Sequence, residues 1–268
     1  MNANTLGILN LMSHIVNEEH NTSDYAITKY LLQNLKILDQ VSINDIVDHV
    51  HVSRSSVRRY ALRLGYENFS DLKHSFSDIA FPSNIHLRDY YSFEEYKKIL
   101  DEQLLQMRSD ISALVSKEVI DSFCQQIRAS EQVYVVCGNN TASTMDKFQQ
   151  EMLYAHKLIE VVSSKFEEGM DFRTANEGDQ FFIVVSVSGV FSESIQEQMS
   201  QLKGRKILLT ANRSEAFIEQ YDDILYLSAK DIKEDKLGLI GKYGVTYFFD
   251  LVSQSYIFQT YSQNEATK

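Results

Sequence analysis

Apolar residues recur along this chain with two different spacings, and the change of spacing divides it in two. Over residues 1 to about 80 the spacing is helical. Leu6, Leu9, Met12, Ile15 and Val16 form one apolar stripe, and Tyr25, Ile27, Leu31, Leu32, Leu35 and Leu38 form a second. The segments SINDIVDHV and SRSSVRRYALRL open on Ser42 and Ser53, a residue type suited to capping a helix N-terminus. SDLKHSFSDI closes this helical set. The single proline, Pro82 in AFPSN, marks a break. A longer amphipathic helix is expected from Phe93 to Val115, with Tyr96, Leu100, Leu104, Met107, Ile111 and Leu114 at helical spacing.

Beyond that helix the pattern becomes strand-like in five places: QVYVVC, LIEVVSS, QFFIVVSVS, KILLTA and DILYLSA. Helix-like segments around 141–157, 191–203 and 214–221 separate most of them, and a last apolar helix is expected over 242–261. Strand and helix alternating at these lengths predict a parallel sheet covered on both faces. The expected organisation is an all-α domain over 1–80, a linker over 81–92, and an αβα domain with a five-stranded parallel sheet over 93–268. No internal repeat and no low-complexity segment interrupts this reading.

A chain of 268 residues is long enough for two modest domains with cores of their own. Its formal net charge is −11, so on average it repels DNA and anionic membranes, and any nucleic-acid site must be a local basic patch. The two cysteines, Cys124 and Cys137, lack metal-ligand spacing and read as buried small hydrophobes in a reducing, cytoplasmic setting. The first twenty residues have no basic n-region, and no apolar run approaches the ~20 residues of a membrane span.

The local basic patch lies in VSINDIVDHVHVSRSSVRRYALRLGY. Two short helices joined by a tight turn, the second rich in arginine, predict a helix-turn-helix. On the second helix Val57, Ala61 and Leu64, flanked by Tyr60, form the buried stripe. Ser55 and Arg59 lie nearly opposite, with Arg58 and Arg63 to either side. Ser53, Arg54 and Ser55 occupy the helix start, the end of a recognition helix that reaches base edges. Lys73 adds to the patch. The candidate DNA-binding residues are Ser53, Arg54, Ser55, Arg58, Arg59 and Arg63. The competing reading is a solvated basic helix in an ordinary bundle. His51 stands in the turn where many helix-turn-helices use glycine; if its φ is positive, histidine carries a conformational cost there.

VSRSSVRRYALRLGYENFSDLK resembles the N-terminal domain of the RpiR family of bacterial transcriptional regulators. The resemblance covers residues 5–80 and is carried by Val52, Ser53, Ser56, Val57, Arg59, Leu64, Gly65, Tyr66, Phe69, Leu72 and Lys73, with Tyr60 in place of the common phenylalanine. It implies a double-stranded DNA operator as partner and a C-terminal sugar isomerase (SIS) domain that senses phosphorylated sugars. GDQFFIVVSVSG is similar to the SIS pattern x-D-x-x-I-x-I-S-x-S-G, and Glu193 matches its acidic residue. In that family the phosphate lies among hydroxyls and backbone amides at the carboxyl ends of the first and third strands. The implied ligand-binding residues here are Asn139, Asn140, Ser143, Ser186, Ser188, Gly189, Ser192 and Glu193.

Two loops depart from that family. Gly138-Asn139-Asn140-Thr141-Ala142-Ser143 has Asn140 at the second glycine of G-x-G-x-S and Ala142 at its serine. The second loop keeps Ser186, Ser188 and Gly189 but has Phe191 where threonine is usual, a ring that would narrow the pocket or cap it with an apolar face. Thr141, Ser143 and Ser192 are nearby substitutes. An isomerase needs a positioned base and usually an acid. Glu193, Glu151 and His156 are the nearest groups, but they read as solvated carboxylates and a packing histidine, so no catalytic residue is assigned. No metal site and no cofactor is expected, and the acidic FEEGMD at 166–171 reads as a solvated loop. The reading is a regulator that binds an operator as a homodimer or tetramer, with a phosphosugar effector and no membrane partner. The alternatives are a SIS-type phosphosugar isomerase and a regulator with a ligand-silent SIS scaffold.

Overall fold

The computed structural model of the protein describes residues 4–77, 92–163, 179–235 and 237–266. The break at Pro82, most of the expected linker and the stretch FEEGMD lie outside them. The chain divides into two compact units, Met1–Pro82 and Ser83–Lys268.

The first unit is helical: α1 (Asn4–Glu18), α2 (Ser23–Gln33), a 3₁₀ segment (Leu35–Gln40), α3 (Ile43–Val50), α4 (Arg54–Arg63) and α5 (Phe69–Ser77). Its core gathers Met12 and Ile15 of α1, Ile27 and Leu31 of α2, Ile46 of α3, and Val57, Tyr60, Ala61 and Leu64 at α4, all buried. The stripe expected on the arginine-rich helix is therefore the buried one. Tyr60 is its anchor: its hydroxyl meets that of Thr28 at 2.8 Å, and Thr28 donates in turn to the Asp24 carbonyl. Burial pushes the Tyr60 phenol well above its ordinary pKa, so this hydroxyl keeps its proton. α4 stops where Gly65, at φ +84°, lets its own N–H bond Leu62 and the Tyr66 N–H bond Ala61.

The second unit opens with α6 (Phe93–Leu114), capped by Ser92, and α7 (Lys117–Ala129). The sheet and its helices follow in the order β1 (Gln132–Cys137), α8 (Asn139–Tyr154), β2 (Glu160–Ser163), β3 (Gln180–Val185), α9 (Val190–Ser194), α10 (Gln196–Gln201), β4 (Arg205–Thr210), β5 (Asp223–Tyr226) and α11 (Val245–Ala266). The five strands are parallel in the order β2-β1-β3-β4-β5. Val133, Val135, Phe181, Ile183, Ile207 and Leu209 face a core built with α6, α7, α8 and α11. Tyr134, Val136, Phe182, Val184 and Leu208 face the opposite core, with Ile195, Met199, Phe217 and Tyr221. Both faces are buried, which is why these strands read as continuous apolar runs rather than alternating ones.

Some helical expectations change. The helix expected over 191–203 is broken at Ile195, whose backbone (φ −109°, ψ 10°) separates α9 from α10. The one expected over 214–221 shrinks to a 3₁₀ turn, Glu215–Phe217. α7 has no counterpart in the sequence reading, although Ile120, Phe123, Cys124 and Ile127 form a clear buried stripe on it. The last helix starts with a π-helical turn, Ile240–Gly244, where Gly244 lies under Ile111 and Met107 of α6. Both cysteines are buried, and burial raises the Cys124 thiol to about 11 and the Cys137 thiol to about 12, leaving them unreactive.

Arg63, expected among the DNA contacts, is held at the end of α4 by two carboxylates. It pairs with Glu19, which follows α1, and with Asp24 of α2 at 2.6 Å. The hydrogen bonds that Arg63 donates to it hold the Glu19 carboxyl below its ordinary value of 4.5. A carboxyl depressed in the folded state contributes stability above its unfolded pKa and loses it as pH falls through the folded one. Arg63 is 43% exposed, so the contribution is screened to about 1 kcal/mol or less. Glu19→Gln is expected to lower the melting temperature of the helical unit at pH 7. The wild-type and variant values should converge as pH falls below 4.5. Parallel melting curves across that range would show that the pair contributes nothing.

Candidate nucleic-acid interface and effector pocket

The helix-turn-helix is built from capping interactions. Ser42 caps α3: its hydroxyl accepts from the Asp45 N–H while the Asp45 carboxylate accepts from the Ser42 N–H at 2.7 Å. α3 ends at His51, which takes a left-handed conformation (φ 58°, ψ 41°) and donates its N–H to Val47. This is the positive φ that the turn position raised as a question, and histidine carries its strain. Ser53 then caps α4. Its hydroxyl accepts from the Ser56 N–H at 3.1 Å and lies 2.7 Å from the Ser55 hydroxyl and 2.9 Å from that of Ser56.

Arg54, Ser55, Arg58 and Arg59 are all exposed on α4. The Arg54 guanidinium donates to Asn44 Oδ1 of α3 at 2.7 Å, and Arg59 donates weakly to Ser56 at 3.4 Å. Lys73, counted in the basic patch, instead donates to the Asp39 and Val41 carbonyls at 3.1 and 2.9 Å, closing the end of the 3₁₀ segment. With Arg63 also bound to carboxylates, Arg54, Arg58 and Arg59 are the cations that α4 presents. Sequence reasoning overlooked Asn44, Glu19 and Asp24, because each is a polar residue whose role depends on a partner 10 to 44 positions away.

The second candidate site follows from the sheet. Strand order reverses between β1 and β3, since the chain leaves β1 toward β2 and continues from β3 toward β4 and β5. Ligands of open α/β sheets bind in the crevice at the carboxyl ends of strands on either side of such a switch. Here those ends are Gly138, which starts α8, and the loop Ser186–Gly189, which leads into α9. Gly189 sits at φ +84°, and a Cβ there would lie 2.6 Å from the Asn212 amide and 2.8 Å from the Phe217 ring. Only glycine fits.

Polar groups of this loop bond mainly to one another. Ser186 is buried, and its hydroxyl accepts from the Ser192 N–H at 3.0 Å. Ser192 is buried too, and its hydroxyl meets Tyr221 at 2.7 Å. The Tyr221 phenol is raised by burial, less the opposing effect of that bond. Asn212 donates to the Ser188 carbonyl at 2.7 Å and accepts from the Ser214 N–H at 2.8 Å. Thr210 donates to the Val187 carbonyl at 3.2 Å. The side chains of Asn140, Ser143, Ser188 and Glu193 are exposed, while that of Asn139 lies outside the described residues. The Phe191 ring lies 3.8 Å from where a Gly138 Cβ would be, so it bridges the β1 and β3 loops. Asn212, Phe217 and Tyr221 hold the loop from beyond β4; the Asn-x-Ser of TANRSE was the one local signal for this turn.

The three acid-base groups of the isomerase alternative do not converge. Glu151 lies about 18 Å along α8 from its first residue at 1.5 Å per residue. There it accepts from Ser253 of α11 at 2.6 Å and pairs with Lys147. His156 is exposed rather than packed, and it ends α8 in the left-handed region at φ 58°. Glu193 alone stands by the crevice. Among the described residues no group of three or more His, Cys, Asp or Glu side chains is placed to hold a metal ion, and no helix is long and apolar enough to cross a membrane.

Residues 7–80 match the family model of the rpiR-family helix-turn-helix domain. The chain is 24% identical over 231 residues to the HTH-type transcriptional regulator GlvR of Bacillus subtilis (strain 168), covering 82% of this chain and 85% of GlvR. The solved structure of the E. coli CFT073 protein c3406 is similar over 63% of this chain and 93% of its own, with 8% identity and a TM-score of 0.50. The sugar isomerase domain of the RpiR transcription factor from Sphaerobacter thermophilus covers 64% of this chain and 98% of its own, with 12% identity and a TM-score of 0.45. Residues 7–80 of the first unit thus match the rpiR-family helix-turn-helix domain, and the second unit shares its α/β fold with c3406. Beyond the helix-turn-helix, the likeness to GlvR extends over most of the chain.

Proposed function

We propose that the protein is a transcriptional regulator that binds a double-stranded DNA operator through α4, with no catalytic activity of its own. Arg54, Ser55, Arg58 and Arg59 contact the operator, with Ser53 shaping the helix start. The observation that carries this reading is the cluster of three exposed arginines on α4 in a chain whose net charge is −11. An arginine fork pairs with O6 and N7 of guanine, and each such contact discriminates by about 1–3 kcal/mol. The SIS-like domain supplies the two-fold partner that a palindromic operator requires. It also senses a phosphorylated sugar or related metabolite at the crevice between the β1 and β3 loops. The scattered positions of Glu151, His156 and Glu193 support a sensor over an isomerase.

A second reading has an observation of its own. Ser186 and Ser192 are buried and already bonded, to one another and to Tyr221, and Phe191 stands against Gly138. This favours a SIS scaffold that assembles the regulator without binding a phosphosugar. For assembly, the face between α6 and the start of α11 offers Leu104, Leu105, Met107, Tyr243 and Tyr247, with Leu105 63% and Tyr243 48% exposed.

Three measurements bear on the proposal. In a selection from genomic DNA fragments, the wild type is expected to enrich a specific, salt-sensitive site. Arg59→Ala should weaken that site by about 1–3 kcal/mol. A wild type with no sequence preference would overturn the regulator reading. Light scattering of the full chain at micromolar concentration should give at least a dimer, and Leu105→Glu should shift it toward monomer; a monomeric wild type contradicts the assembly. In thermal-shift screens a sugar phosphate should raise the melting temperature, with about 2.7 kcal/mol of stabilisation at a hundredfold excess over Kd. Ser188→Ala should shrink the shift; Phe191→Thr should enlarge it if the ring blocks the phosphate and reduce it if the ring contacts the effector. No shift in any of the three proteins would favour the silent scaffold.

A further inference from the structure

We infer that Asn44 is a positioning residue for sequence reading: it fixes the Arg54 fork, and the two act on DNA as one unit. The inference rests on the DNA-binding reading of α4. Asn44 lies in the first turn of α3 and Arg54 is the first residue of α4, so the contact joins the starts of the two helices of the motif. Both side chains are exposed, and a 2.7 Å bond joins them across ten positions of sequence. Nothing in the core requires this contact.

Charge separates Arg54 from the neighbouring structural arginine. Arg63 is bound by Glu19 and Asp24, which neutralise it and tie it to α1 and α2. Arg54 is held by a neutral amide, so its full positive charge remains at the surface. It also stands at a helix N-terminus, where the backbone dipole disfavours a cation, and the first turn of α4 contains no acidic residue to compensate. A local rule broken without compensation marks a functional position more often than a structural one.

Geometry explains the choice of asparagine. A guanidinium has five N–H donors and no acceptor, while an amide has one acceptor oxygen and two N–H donors. Asn44 Oδ1 occupies one Arg54 donor, and the remaining arginine donors together with the Asn44 NH₂ form a surface of donors only. Its complement is an acceptor pair such as guanine O6 and N7, or a phosphate oxygen beside them. Holding the fork before binding reduces the side-chain ordering that binding otherwise costs. Aspartate would hold the fork as well but would cancel the charge.

The experiment measures base preference with the full chain. A specific site is first selected from genomic DNA with the wild type. Affinities are then measured for that site and for every single base-pair substitution in it, using the wild type, Asn44→Ala, Arg54→Ala and the double variant. Preference is a ratio of affinities within one preparation, so partial loss of folded protein cancels. Arg54→Ala should flatten the preference at one base pair, by roughly 5- to 150-fold. Asn44→Ala should weaken preference at that same pair, and the double variant should be no worse than Arg54→Ala. Asn44→Gln, which keeps an amide acceptor, should restore part of it. The inference is overturned if Asn44→Ala leaves every preference intact, or if the losses of the two single variants multiply in the double. A wild type that selects no sequence fails earlier, taking down the DNA-binding reading and this inference together.

Discussion

β3 is the element on which the second unit depends. It is paired on both edges, with β1 and β4, and all six of its residues are buried. Phe181, Ile183 and Val185 belong to one core, and Phe182 and Val184 to the other. A strand so enclosed has no freedom of register, because a slip of one residue would exchange its two faces. That rigidity fixes where Ser186 emerges, and the Ser186–Gly189 turn is then fastened from the neighbouring strand. The Ser186 and Ala211 N–H groups bond Leu209 and Val187 across the β3–β4 boundary, and Asn212 reaches the Ser188 carbonyl.

In the first unit the equivalent constraint is the burial of one face of α4. Val57, Tyr60 and Ala61 cannot turn outward without emptying the core, so Arg54, Ser55, Arg58 and Arg59 must face solvent. Two conformational devices set the helix at its ends: His51 in the left-handed region before it and Gly65 after it. The strain at His51 is tolerated because the N–H of that residue still closes α3 on Val47. The turn thus has the backbone geometry that glycine usually supplies, at a conformational cost small against the burial that fixes both helices.

Elements that bury a stripe or a run are legible in the sequence, and contacts between distant polar residues are not. The buried face of α4 follows from helical spacing, and the five strands from short apolar runs bounded by polar segments. The interruptions do not: Ile195 breaks a helix whose apolar pattern continues through it, and residues 214–221 form only a short 3₁₀ turn. Helical periodicity there reports burial, of Ile195, Met199 and Phe217, without reporting backbone conformation. Arg63 and Lys73 read as part of a DNA face because cations cluster on that segment. Their partners, two carboxylates near the α1–α2 turn and two backbone carbonyls, are invisible to any local window. Phe191 reads as a group that narrows or caps the pocket, and its approach to Gly138 agrees with that.

The same accounting bears on the effector crevice proposed between the β1 and β3 loops. A hydroxyl offers one donor and two acceptor positions. Ser186 uses an acceptor position on the Ser192 N–H, and that N–H is thereby removed from the set of amides able to receive an anion. The Ser192 hydroxyl, paired with Tyr221 in a buried site, is removed as well. What the β3 loop presents outward is Ser188, near Phe191, with Ser143 on the β1 side. An effector held there meets fewer fixed donors and more apolar surface than the SIS pattern of hydroxyls implies. On the proposed sensing role, recognition would rest less on the phosphate and more on the body of the sugar or metabolite, where contact with an aromatic ring is worth most.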